Sequence, residues 1–251
     1  MKKNFLLISL CMITLLSCGQ AFGDPQNIVY AKSFGFSSIE NLDISLSYEN
    51  LLISQIYGDE ISVEIGSNNI KKFPEVILDE NTLTIKTKEQ KSRFGNKCTV
   101  YLYLPQDFVA QSISIKTASG TISADILKSQ NAVHINNVSG RTDIGLCNTE
   151  LFDVSTVSGN AKLQKITADY FDFNSVSGDI FTELEKAPLA SSGIKNISGK
   201  SQLYVPKGSN LTYKTSSISG KITNNTTAVT NSDATQITIS STSGKIEIKE
   251  Y

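Results

Sequence analysis

Few residues in this chain are equipped for chemistry, and their spacing limits what they can do. His134 is the only histidine, so a serine-histidine-aspartate relay would need it as the base. No nucleophile elbow or comparable local motif accompanies it. It sits in an outward slot between Val133 and Ile135, where an exposed structural role is expected. Metal ligation needs clustered Cys, His or carboxylate side chains, and Cys98 and Cys147 have no such company. Glycine-rich phosphate loops opening a helix are missing. No catalytic residue, metal or cofactor is expected.

Two charged patterns remain. Asp153 and Asp172 lie 19 residues apart in equivalent slots of a repeat, close enough on stacked strands to raise one pKa. With Asp143 and Asp179 they are the carboxylates that a glycan-active β-helix enzyme could use, but one per strand on a solvated face reads as a chance pair. Lys200, Lys221 and Lys245 each follow the glycine of a repeated Ser-Gly pair. Stacked on consecutive coils they would repel by about 1 kcal/mol per neighbouring pair in water. They form either a solvated edge that discourages aggregation or a strip for polyanions such as envelope glycans or anionic headgroups.

The elements that position these residues are written in that repeat. Ser-Gly pairs end at Gly120, Gly140, Gly159, Gly178, Gly199, Gly220 and Gly244, spaced by 20, 19, 19, 21, 21 and 24 residues. A period near 20 marks a solenoid. Around each glycine apolar residues alternate, as in Phe152, Val154, Val157, Ala161 and Leu163, which predicts two short strands with one face inward. The alternation breaks between Val154 and Val157, so a corner is expected there with Val157 kept inward. The glycine is expected to supply a backbone conformation costly to other residues. The small residues two before each serine (Thr117, Asn137, Thr156, Ser175, Asn196, Ser217, Ser241) are expected to form a hydrogen-bonded ladder. Polar replacements such as Ser192, Ser201 and Asn224 predict looser packing in the later coils.

Upstream, alternating segments around Gly58-Asp59, "NTLTIKTKE" and "KCTVYLYLP" read as irregular coils of the same solenoid capping one end, with a separate small sandwich as the alternative. "YLPQDFVAQSISIKTASGTI" is echoed by "YVPKGSNLTYKTSSISGKI", marking Tyr103 to Ile122 and Tyr204 to Ile222 as related coils.

The 251 residues, 39% hydrophobic, are enough for a sizeable core. Formal charge is −1, so no global field recruits nucleic acid. The N-terminus places Lys2 and Lys3 before an apolar run from Phe5 to Leu16, an export signal too short for a permanent span. "LLSC", Leu15 to Cys18, resembles the lipobox of bacterial lipoproteins. That resemblance implies cleavage before Cys18 and its acylation, and so an extracytoplasmic protein lipid-anchored to a bacterial membrane, at the outer membrane or cell surface. Cleavage after "AFG" would instead release a secreted protein. The expected organisation is a signal peptide over 1–17, a lipidated tether over 18–27, irregular coils over 28–110 and seven repeat coils over 111–251. Cys98 and Cys147 are expected to stay unbridged, about two coils and roughly 10 Å apart.

The units "NVSGRT", "TVSGNA", "SVSGDI", "NISGKS" and "SISGKI", with the early "GDEISV" coil, resemble the bacterial adhesin-like domains, exported β-solenoids that carry no catalytic residues over to this chain. The fold expected is an all-β, single-chain parallel β-solenoid. Right-handed coiling follows the general crossover preference. The function expected is a non-enzymatic binding or surface-structural module, with an envelope glycan or surface protein as partner. An accessory role in envelope signalling or maintenance is the other reading.

Overall fold

A computed structural model describes residues 27–88, 97–227 and 233–251. Cys18 and the rest of the leader and tether lie outside the described residues. The described chain is nearly all-β, its strands joined by turns and bends, with one 3-10 turn at Phe36–Ser38. The first strands are β1 (Asn27–Gly35), β2 (Asn41–Leu46), β3 (Asn50–Ile56), β4 (Glu60–Ser67), β5 (Glu75–Asp79), β6 (Thr82–Lys86) and β7 (Cys98–Pro105). The middle holds β8 (Ala110–Thr117), β9 (Ile122–Ala124), β10 (Leu127–Asn137), β11 (Thr142–Ile144), β12 (Cys147–Thr156), β13 (Ala161–Ser175) and β14 (Ile180–Leu184). The chain closes with β15 (Ser192–Asn196), β16 (Ser201–Val205), β17 (Leu211–Ser217), β18 (Ile222–Asn225), β19 (Thr235–Ser241) and β20 (Ile246–Glu250).

These strands build a β-solenoid with two long ladders facing each other across the core. One runs β5-β6-β2-β8-β10-β12-β13-β15-β19-β17. The other runs β1-β4-β7-β3-β9-β11-β13-β14-β16-β20-β18. Inward residues stack by type: Val133, Phe152 and Phe171 occupy one register, Ile135, Val154 and Phe173 the next. Phe171 and Phe173 stack with ring centroids 4.8 Å apart, and Phe152 meets Phe173 edge-on at 5.3 Å. The polar replacements Ser192 and Ser201 are buried, whereas Asn224 is exposed.

Three expectations about the corner are corrected. Strand alternation does not break at the third apolar slot. It continues one step further, so the small polar residue turns inward, with Thr117, Asn137, Thr156, Ser175, Asn196 and Ser241 buried. The valine after it points out, and Val157 is 47% exposed. The polar residues do not form a ladder either. Six of the seven cap their own corner: the backbone N–H of Gly159 donates to Thr156 Oγ1 at 2.9 Å, and Gly120, Gly140, Gly178, Gly220 and Gly244 repeat the contact at 2.7–3.1 Å, while Asn196 Nδ2 donates instead to the Gly178 carbonyl of the preceding coil at 3.0 Å. A donor stranded by the turn is thereby satisfied from within.

The glycine's reason also differs. Of the seven, only Gly199 has a positive φ, +144°. What the others require is close approach. A Cβ on Gly178 would sit 1.7 Å from the carbonyl oxygen of Gly159, and one on Gly140 would sit 1.9 Å from that of Gly120. The corners stack backbone on backbone.

That stack reveals an order the sequence does not show. The corner contacts run Glu49, Gly120, Gly140, Gly159, Gly178, Gly199, Gly244, Gly220. The last coil in sequence, β19 and β20, lies between β15/β16 and β17/β18. At the other end β2 and β3 lie between β6/β7 and β8/β9. The solenoid is also not parallel throughout. β1–β4, β4–β7 and β5–β6 pair antiparallel, because hairpin turns such as Glu80, at φ +49°, reverse the chain.

Candidate binding surface

The interleaved C-terminal coils set the lysines in the order Lys200, Lys245, Lys221, since Ser201 N–H donates to the Lys245 carbonyl and Ile246 N–H to the Lys221 carbonyl. The strip is not a free row of like charges. β20 alternates Ile246 and Ile248 inward with Glu247 and Lys249 outward, and Glu247 stands where the lysines meet. Its carboxylate is 3.0 Å from Lys200 Nζ, 3.5 Å from Lys245 Nζ and 2.6 Å from Lys249 Nζ, and Gln202 Nε2 donates to it at 3.4 Å. The hydrogen bonds from Lys249, then Lys200, hold Glu247 down at about 2. Lys221 makes no ion pair among the described residues. Lys249 lies outside the slot after the glycine, the one pattern that marks these lysines in the sequence, and joins the group only through β20.

Beside the lysines lies an aromatic pair. Phe181 on β14 and Tyr204 on β16 face outward on neighbouring strands, ring centroids 5.2 Å apart and tilted 37°. Lys249 Nζ lies 5.6 Å from the Tyr204 ring centroid. A shallow depression of about 310 Å³ runs from Phe181 and Gln202 past Lys162 and Asn160 to Arg141 and Asp143.

On the opposite ladder, His134, Asp153 and Asp172 stand in one outward register on β10, β12 and β13. His134 Nδ1 is 3.6 Å from Asp153 Oδ2. Burial, aided by the charge of Asp172, raises the Asp153 pKa while His134 opposes the rise. Asp172 accepts a hydrogen bond from Asn174 Nδ2 at 3.1 Å and lies 4.0 Å from Lys195 Nζ. Neither aspartate lines the larger groove on this ladder, about 490 Å³, which runs between Asn174, Lys195 and Ser216 on one side and Val176, Ile197 and Ile218 on the other. Asp143 is engaged by Arg141 at 2.6 Å, and Asp179 accepts the backbone N–H of Lys200 at 2.7 Å.

Cys98 and Cys147 are buried free thiols, with burial first pushing Cys98 up to about 12. Their separation is greater than two coils. Cys147 follows the end of β11 by three residues, and β3 and β9 intervene between β7 and β11, so the gap is about three strand spacings, about 14 Å. Among the described residues no group of three or more His, Cys, Asp or Glu side chains could hold a metal ion, and no helix is long and apolar enough to cross a membrane.

A stacked-coil β-solenoid whose polar side chains are spread along open outer faces is a repeat-surface protein. Residues 39–250 match the Toastrack DUF4097 family, and the chain belongs to it. No curated protein matches. Among solved structures the chain is similar to a candidate adhesin of Parabacteroides merdae, at 12% identity over 87% of this chain and 95% of that one, with a TM-score of 0.51. It is also similar to a candidate adhesin of Parabacteroides distasonis, at 16% identity over 87% and 96%, with a TM-score of 0.50. Likeness at this identity shows the shared fold.

Proposed function

We propose that the chain is a non-enzymatic binding module, held by a lipid on Cys18 to the outside of a bacterial membrane, that presents its solenoid faces to a surface partner. One observation carries the reading: outward side chains line up coil upon coil in straight rows, as in Val138, Val157 and Val176 at the corner, while the charged groups lie on open strand faces. Such rows suit an extended partner better than a small substrate that must be enclosed. The adhesin names borne by the similar structures agree with it.

The leader supplies the address. A single acyl chain binds a membrane only marginally, so stable attachment rests on the several chains implied by the lipobox resemblance. Cys18→Ser in the native host should move the protein from the membrane to the soluble fraction with its far-ultraviolet spectrum unchanged. If the wild-type protein carries no lipid and is released after Gly23, the anchor is wrong. The enzyme alternative has its own check: cleavage of an envelope glycan that is abolished by both Asp153→Ala and Asp172→Ala would replace the binding reading.

A further inference from the structure

The geometry points to a binding site for a carboxylated sugar of an acidic oligosaccharide on the outer face of β14, β16 and β20, with Phe181 and Tyr204 as the platform and Lys200, Lys245 and Lys249 as the anion receptor. The inference rests on the reading of the chain as a binding module.

Three ammonium groups share one carboxylate, Glu247. The group therefore keeps two positive charges that no partner in the cluster neutralises. Glu247 is almost fully buried beneath them, so it holds the lysine tips together, and because each ammonium carries three N–H donors, donor capacity remains for a ligand after the contact with Glu247. The side chains of Lys200, Lys245 and Lys249 remain 34–45% exposed. An incoming carboxylate can reach them without displacing Glu247.

The aromatic pair supplies the second contact. A sugar ring presents a flat patch of C–H bonds whose positive character suits the negative face of an aromatic ring. Phe181 and Tyr204 are half-buried, which fixes them, and Lys249 ties the platform to the anion receptor through its contact with Tyr204. Gln202, between Phe181 and Glu247 in register on β16, offers an amide to a sugar hydroxyl.

The surrounding charges narrow the ligand class. Asp143 is neutralised by Arg141, whereas Asp179 lies along the depression and Glu183 is next to Tyr204 on the neighbouring strand. A broad anionic surface, whether a membrane or a nucleic acid backbone, would meet those carboxylates as well as the lysines. In an acidic oligosaccharide the carboxylates are spaced one per ring, so a single ring can meet the lysines while its neighbours reach past the acidic side chains.

Calorimetric titration of the full-length protein at low ionic strength with trigalacturonate, its neutral trigalactose counterpart, phosphatidylglycerol vesicles and single-stranded oligonucleotide tests the assignment. Trigalacturonate should bind at least tenfold more tightly than the neutral trisaccharide. Lys245→Gln and Tyr204→Ala should each weaken it tenfold or more, while Lys221→Gln, outside the cluster, should change it less than twofold. No trigalacturonate binding, equal affinity for the neutral sugar, tighter binding to vesicles or oligonucleotide, or an unaffected Lys245→Gln variant would each overturn the site. Should Tyr204→Ala fail to fold, Lys245→Gln decides alone. Surface attachment through Cys18 is read by fractionation, so either claim can fail without the other.

Discussion

In the middle of the molecule, from β8 to β16, chain order and spatial order agree, and each coil lies on the one made just before it. At the two ends they disagree. β2/β3 lie between two coils distant in sequence, and β19/β20 between the coil just before them, β17/β18, and the earlier β15/β16. The two ends use the same device. After Tyr103-Leu104-Pro105 and after Tyr204-Val205-Pro206 the chain skips one coil position, about 10 Å instead of one strand spacing. In both places the residue after the proline bonds the end of the coil that fills the gap: Gln106 N–H donates to the Ile56 carbonyl at 3.1 Å and Lys207 N–H to the Tyr251 carbonyl at 3.0 Å. At one end the filling coil precedes the skip in sequence, and at the other it follows. Contacts in the middle are local repeats, while the ends depend on pairings that close long loops.

The largest effect should come from removing the filling coil. Deleting 235–251 takes out the only ladder partner of β17 and β18 among the described residues, so 211–225 should lose protection with it, and hydrogen exchange there should reach that of an unfolded chain. Deleting 141–159 joins Gly140 to Asn160 in register and removes one whole middle coil. That variant should keep a single cooperative unfolding transition, at a lower temperature. If both deletions behave alike, the distinction between sequential and interleaved coils has no energetic content.

Next in size is a charge placed in the middle core. Val154 is 2% exposed, packed in register with Ile135 and Phe173. Val154→Asp should cost about 4 kcal/mol in denaturant unfolding, as an uncompensated buried carboxylate does. Val157→Asp, on the exposed corner, should stay within about 0.5 kcal/mol. Equal losses would put Val157 back inside.

Corner stacking is tested by Gly178→Ala, whose added Cβ meets the Gly159 carbonyl. The backbones must part, at about 1–3 kcal/mol, the usual range for overpacking. Gly35→Ala, with nothing within 4 Å of the added Cβ, is the matched control and should be close to neutral.

The corner also shows what was legible in the sequence and what was not. Alternation of Phe152 with Val154 and of Ala161 with Leu163 suffices to locate strands and their inward faces, because burial and period two are one signal. At Thr156 and Val157 hydrophobicity points the wrong way. A buried hydroxyl with a local N–H partner costs little, and an apolar side chain can ride outside, so the hydrogen bond decides. The echo of Tyr103-Leu104-Pro105 in Tyr204-Val205-Pro206 was visible, but which strand fills the skipped position is a pairing between residues far apart, and no window of sequence contains it. The same ignorance underestimated the Cys98–Cys147 separation. In the candidate site, Lys200 and Lys245 could be read from the repeat. Their convergence with Lys249 on Glu247 depended on β20 lying beside β16.

The smallest predicted effect is an acid response that differs between the two regions. In the interleaved coil the folded pKa of Glu247 is about 2, below its ordinary 4.5, because Lys249 and then Lys200 bond its charged form. A depressed carboxylate pKa means that the unfolded chain binds the proton more readily. The contribution is therefore complete above about 4.5 and is lost as pH falls toward 2. In the middle coils Asp153 has the opposite sign. Burial raises its pKa, so its charged form disfavours folding and protonation relieves the penalty as pH falls through the carboxylate range. Hydrogen exchange followed from pH 6 to pH 3 should thus show 235–250 losing protection relative to 147–156. Glu247→Gln should abolish most of that difference, since the glutamine no longer titrates. A wild-type profile in which both segments weaken together would mean that Glu247 is too well solvated for its ion pairs to hold the interleaved coil.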